Sequence, residues 1–177
     1  KVFDAGSLTD LATIPVCQGP TNVAIAHSVA FVTCVLQGVV DEFSTESLKY
    51  LHRTTGVGVY PEGIATNDFG AYTAAMNSGE VAMIDFDGGV VTKANVGGCP
   101  TGIFALDSAV FVTDRCNARL VELNPQTLSQ IAVFEVGAGH EISLRGEHWL
   151  DHRCLPPLRQ GRICYETWRS RRSASLM

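Results

Sequence analysis

The chain has 177 residues, 46% of them hydrophobic and 18% charged, which supplies enough apolar material for a core and too little charge for disorder. Seventeen glycines and seven prolines favour many turns over long helices. Thirteen basic residues against eighteen acidic ones argue against a nucleic-acid surface, so nucleic acid is not an expected partner.

The chain opens on Lys1 with no charged-then-apolar leader pattern, as a processed or truncated chain also would. Residues 1–18 line up with the second half of a longer unit: "KVFDAGSLTDLATIPVCQGP" matches "VELNPQTLSQIAVFEVGAGH" further on. Residues 19–59 hold four short segments, "GPTNVAIA", "VAFVTC", "VVDEFS" and "LKYLHRTT". Residues 22–40 lack any Asp, Glu, Lys or Arg and are long enough to span a bilayer. Their polar residues and β-branched content fit a repeat register better, and no membrane span is expected.

Residues 60–98 repeat the pattern with "YPEGIATN", "AYTAAM", "VAMIDF" and "VTKANVG", and residues 99–139 with "CPTGIFAL", "AVFVTD", "ARLVELN" and "SQIAVFEVG". Pro20, Pro61 and Pro100 head the three units at steps of 41 and 39. A second landmark has the same period: Asp4, Ser44, Asp85 and Asn124 lie 40, 41 and 39 residues apart. Three of them are followed by a hydroxyl residue and then Leu, in "DAGSL", "STESL" and "NPQTL". A short oxygen-bearing side chain there can accept N–H groups two or three residues on and close a tight turn.

Residues 140–177 change character, with seven Arg, no Lys and four acids, against six Lys/Arg and fourteen acids in residues 1–139. His140 still occupies the proline slot, and "HRC" at 152–154 echoes "DRC" at 114–116. This end is either a degraded partial repeat or a foreign basic tail.

Four short strands per roughly 40 residues, joined by tight turns, predict an all-β fold. The expected architecture is a partial β-propeller of about three to four four-stranded antiparallel blades. A sandwich or barrel needs no such period, and a helical solenoid does not fit short Val/Ile/Phe runs punctuated by Gly and Pro. The form G-x-P-x-x-I-A…V-F-V-T…V-x-x-I-D-x-x-T-L…V-x-V-G resembles the YVTN-type β-propeller repeat, a relative of NHL repeats and streptogramin-lyase-like propellers. The resemblance covers residues 1–139; Thr73 and Ala74 and the expanded "TTGVGVY" depart from it. Closed propellers need about four to eight blades, so the chain reads as a fragment of a longer ring. Exported or surface placement is what the resemblance implies.

Cys17/Cys34 and Cys99/Cys116 share a spacing of 17, each linking the end of one unit to the second segment of the next. Disulfides there would suit an oxidising compartment. Because Cys34 and Cys116 do not share a repeat slot, buried free thiols are the favoured alternative. His148, His152 and Cys154, with Cys164 beyond, stretch along about 20 Å of extended chain, and no metal site is expected of them. No nucleophile-elbow, zinc-protease or phosphate-loop motif is present, and "GVGVYPEG" opens no helix.

The polar residues at the entry to the innermost strands are Asn22, Glu62, Thr101, His140 and Glu141, the candidate ligand-binding set. They can hold a divalent cation around the axis, as lactonase-like propellers do, or merely cap turns. No other cofactor is expected, and no catalytic residue is assigned. Three functions follow: a non-catalytic scaffold binding a protein or small-molecule ligand, a metal-assisted lactonase- or lyase-like enzyme, or a truncated non-functional fragment. The scaffold reading leads, because no acid/base pair stands out.

Overall fold

The repeated turn explains why the strands come in fours. In a computed structural model of the chain, residues 1–136 are described in full and residues 140–145, 148–154 and 164–169 by their strand backbone. Asp4 Oδ1 accepts the N–H groups of Gly6 and Ser7 at 3.1 and 2.7 Å. Asn124 Oδ1 accepts those of Gln126 and Thr127, both at 3.0 Å. Asp85 Oδ1 takes the N–H groups of Asp87 and Gly89, and Ser44 Oγ that of Ser47. The predicted acceptor slot therefore closes a turn in all four copies. The leucine ending the motif has a left-handed backbone, with φ of 57° at Leu8 and 55° at Leu48 and Leu128. That conformation costs a non-glycine residue about 1–2 kcal/mol. At Leu128, only 1% exposed, burial of the side chain contributes about 1.5–3 kcal/mol in the opposite direction.

Strands β1 (Val2–Phe3) and β2 (Asp10–Ala12) form a two-stranded sheet around the first such turn. The first four-stranded sheet contains β3 (Pro20–Ala26), β4 (Val29–Cys34), β5 (Val39–Ser44) and β6 (Tyr50–Thr54). The second contains β7 (Pro61–Asn67), β8 (Gly70–Ala75), β9 (Glu80–Ile84) and β10 (Val90–Asn95). The third contains β11 (Pro100–Leu106), β12 (Ala109–Asp114), β13 (Arg119–Leu123) and β14 (Gln130–Glu135). β15 (His140–Arg145), β16 (His148–Cys154) and β17 (Cys164–Arg169) form a three-stranded sheet.

Each sheet is an antiparallel meander in chain order. The prolines open the first strand of each four-stranded sheet, pairing Pro20 with Cys34, Pro61 with Ala75 and Pro100 with Asp114. A strand start tolerates proline because little of the ladder is lost there. Residues 22–40 run through β3, β4 and the first residues of β5. Among the described residues, no helix is long and apolar enough to cross a membrane.

The cores lie between sheets. Phe31 and Val40 of the first sheet meet Ala71, Ala82 and Ile84 of the second, with Ile64 packed alongside. Tyr72, Val81 and Met83 of the second meet Val110, Val121 and Leu123 of the third. Thr73 departs from the apolar pattern yet is fully buried, because its Oγ1 donates to Gly63 O at 2.9 Å. β7 lies between β3 and β11, so the first strands of successive sheets are neighbours.

The segments entering the first and third sheets are bridged by disulfides, Cys17–Cys34 and Cys99–Cys116, with Cα–Cα distances of 5.9 and 5.1 Å. The favoured free-thiol reading is therefore corrected. The two bridges are offset by two residues along equivalent joins, and the same crossing is spanned in either position. Each join also carries a carboxylate clamp. Asp41 accepts the Cys17 N–H at 3.0 Å and the Arg53 guanidinium at 2.6 and 3.0 Å. Asp114 accepts the Cys99 N–H at 3.0 Å and Arg119 Nη2 at 2.6 Å. Burial pushes the Asp114 carboxyl up, but Arg119, Asn117 and the Cys99 N–H together hold it below its ordinary value.

Each bridge closes a loop of 17 residues, for which about 2–4 kcal/mol of stabilisation is typical. Reducing both is expected to lower the denaturant midpoint of the full chain correspondingly. An unchanged midpoint would show that the bridges contribute nothing to the joins.

Candidate functional site

The entry to the first strands is organised around threonine hydroxyls in the second strands. Thr33 is fully buried in β4. Its Oγ1 accepts the Asn22 N–H at 3.1 Å and donates to Glu62 O at 3.0 Å, tying the first sheet to the second. Asn22 Nδ2 donates to the same carbonyl at 2.9 Å. In the third sheet Thr113 Oγ1 accepts the Gly102 N–H at 2.8 Å and lies 3.3 Å from Thr101 Oγ1. A Cβ on Gly63 would come within 2.2 Å of Thr101 O, so the close approach of β7 and β11 requires glycine there.

Three of the sequence-predicted residues are thus placed along one edge of neighbouring strands. Asn22 and Glu62 are linked directly, through the Glu62 carbonyl rather than its carboxylate. Thr101 lies one strand further on, in β11. The register refines the set: Glu62 and Thr101 each follow their proline, and in β3 that slot belongs to Thr21, with Asn22 one residue later. Thr21 Oγ1 lies 3.0 Å from Thr33 Oγ1. His140 and Glu141 open β15 and pair through the backbone with Arg153 and His152, but their side chains lie outside the described residues. The side chains of His148, His152, Cys154 and Cys164 lie outside them as well.

A second cluster escaped the sequence reading. Glu42 is fully buried in the middle of β5, in the run "VVDEFS". Thr54 Oγ1 lies 2.5 Å from Glu42 Oε1 and 2.9 Å from Gly88 O in the β9–β10 turn of the next sheet. His52 Nε2 lies 2.8 Å from Glu42 Oε2, yet neither atom has a hydrogen bond of good geometry among the described residues. A Cβ on Gly88 would collide with the His52 ring at 1.6 Å, so this turn needs glycine to close over the imidazole. Burial raises the Glu42 carboxyl above its ordinary value of 4.5; Thr54 and His52 oppose the rise, and Asp85 reinforces it. The cluster is recognisable in sequence only as two adjacent acids in an otherwise apolar strand, because its other members come from β6 and from the next sheet.

No protein-family model matches the chain, and no curated protein sequence matches it. Solved structures match it in shape. Kuenenia stuttgartiensis hydrazine synthase superposes with a TM-score of 0.67 at 16% identity, over 86% of this chain and 46% of that one. The β-propeller domain of Myceliophteria thermophila Cps50 (Swd1) gives 0.64 at 12% identity, over 81% and 51%. BamB from Moraxella catarrhalis gives 0.59 at 17% identity, over 74% and 42%.

The chain has a β-propeller fold.

At these identities the likeness shows the fold alone, and this propeller chain spans about half the length of each of these three. Its four-stranded sheets are blades, with β3, β7 and β11 as their innermost strands.

The raised Glu42 carboxyl makes a signed prediction. Folding holds a proton on Glu42 that the unfolded chain releases near 4.5, so its contribution is complete below that pH and is lost as pH rises through the raised value. Glu42→Gln keeps a neutral amide in place at every pH. Its urea midpoint is expected to match the parent at pH 4 and to exceed it at pH 7. Parallel pH profiles for the two proteins would contradict the assignment.

Proposed function

We propose that the chain is a non-catalytic propeller scaffold of the YVTN repeat type. It binds a protein or small-molecule ligand through its loops and the entry face of its innermost strands, with Asn22, Glu62 and Thr101 contributing and His140 and Glu141 in the corresponding part of β15. The observation that carries this reading is the donor set. β3, β7 and β11 together contain one acid, Glu62, whereas an oxygen-coordinated cation such as calcium takes about six to eight ligands. The hydroxyls and the Asn22 amide at the entry are committed to backbone groups and to one another. Short polar side chains held on the backbone in this way suit recognition better than proton transfer. Two disulfides support placement in an oxidising, extracytoplasmic compartment.

The test is amide shift mapping of the isotope-labelled full chain against a panel of short peptides and small polar metabolites, alongside lactone and ester hydrolysis assays with and without calcium. Hits are expected to move the amides of Thr21, Asn22, Glu62, Gly63, Thr101 and Gly102, with hydrolysis at background. Calcium-dependent turnover abolished by Glu62→Gln would overturn the scaffold reading, as would shifts confined to β6, β10 and β14.

A further inference from the structure

One buried position of the first blade breaks the repeat. Ala82, opposite Thr73, and Val121, opposite Val112, fill a fully buried slot in the second and third blades. In the first blade the equivalent slot, opposite Val32, holds Asp41, which is only 2% exposed. Burying a carboxylate there is unfavourable unless it is paired. It is paired with Arg53, and it faces the first disulfide. One carboxylate oxygen of Asp41 and the sulfurs of Cys17 and Cys34 all lie within 4.8 Å of one another. Cys34 is fully buried and Cys17 is 9% exposed, so the donors sit in a dry recess beside Val39.

We propose that reduction of the Cys17–Cys34 disulfide opens a binding site for a thiophilic divalent cation of the zinc or cadmium class, with Cys17, Cys34 and Asp41 as ligands. A phosphine and one water convert the disulfide to two thiols and a phosphine oxide. On binding the cation, both thiols lose their protons to solvent and become thiolates. Two thiolates, the carboxylate and the Arg53 guanidinium sum to two negative charges, which a divalent cation neutralises. Tetrahedral zinc takes thiolates at about 2.3 Å and carboxylate oxygen at about 2.0–2.2 Å, leaving ligand atoms roughly 3.5–4 Å apart. Separating the sulfurs by that much is compatible with cysteines whose Cα atoms are 5.9 Å apart. Water completes the fourth position, as in three-ligand zinc sites. The Cys17 N–H and Arg53 already orient the carboxylate, the role that outer-shell partners play around a metal.

The other bridge provides a control within the same molecule. Asp114 accepts bonds from the Cys99 and Asn117 N–H groups, the Asn117 amide and Arg119. Among the described residues, Cys17, Cys34 and Asp41 are the group of three that brings metal-ligating atoms together.

The test uses the full chain, reduced with a phosphine, freed of it under argon and titrated with cobalt(II). One equivalent is expected to produce thiolate-to-cobalt charge-transfer absorption that zinc displaces. The absorption is expected to disappear in Cys17→Ser and Cys34→Ser and to persist when Cys99 and Cys116 are both serine, while Asp41→Asn weakens cobalt binding at least tenfold. Because a cysteine variant can misfold, the unmutated reduced chain is also alkylated with and without zinc. Zinc is expected to slow modification of Cys17 and Cys34 at least tenfold while leaving Cys99 and Cys116 unchanged, and to raise the melting temperature of the reduced chain. Absence of the absorption in the parent chain, its survival in Cys34→Ser, or equal zinc protection of both cysteine pairs would overturn the proposal.

Discussion

Every blade is positioned by the strap of chain that enters it. As the chain leaves one blade's outer strand and crosses to the next blade's innermost strand, its backbone N–H groups lose a ladder partner and need another acceptor. The three joins meet that one requirement in two ways. The first join uses Asp41 for the Cys17 N–H and adds a disulfide. The second uses Ser78 Oγ for the Val59 N–H at 3.0 Å, with Asn77 and Met76 N–H groups donating to Val59 O and Tyr60 O. The third uses Asp114 for the Cys99 N–H and again adds a disulfide. With the strap fixed, the strand-opening proline, the bulge after it and the hydroxyl beneath it fall into place.

The blades could not pack as they do with uniform side chains. The second blade contributes Ala71, Ala74, Ala75 and Ala82, all fully buried, and lies between blades that contribute Phe31, Val40, Val110 and Leu123. Small against large is what allows adjacent sheets to interdigitate without voids. Tyr72 reaches across, its hydroxyl 2.8 Å from Pro125 O in the third blade and 3.0 Å from Asn67 Oδ1, so its one proton is shared between two acceptors. Glu42 runs against this economy of apolar packing. It sits where the second and third blades have Met83 and Glu122, in contact with a histidine and a threonine from β6 and closed over by the next blade's glycine turn.

The functional reading rests on that same architecture. Buried threonines hold the innermost strands together through backbone carbonyls, so the rim residues present short polar groups from a stiff base. Asn22 and Glu62 were recognisable as neighbours because both lie just after a proline of the 41-residue step. Their actual link, an amide donating to a carbonyl, was not, because strand alternation and the bulge decide which atom of Glu62 faces Asn22. The Glu42 cluster was still less visible, since Gly88 closes over its members Thr54 and His52 from 34 and 36 positions away and meets them only when two blades stack.

What the sequence determined by itself is whatever local chemistry enforces. The acceptor side chains Asp4, Ser44, Asp85 and Asn124 bond N–H groups within four residues, so their period, shared with the prolines and with four short apolar segments per unit, announced a propeller. The slots of Pro20, Pro61 and Pro100 followed from proline's missing donor. Only the tertiary structure decided the state of the cysteines, because equal spacing in unequal slots is ambiguous until the straps are laid across their blades. It likewise decided that Asp41 is a buried carboxylate beside two sulfurs rather than a surface acid. Those contacts join the strap at Cys17 to residues 17 and 24 positions further on, in β4 and β5, and their geometry exists only once the strap is laid across the blade.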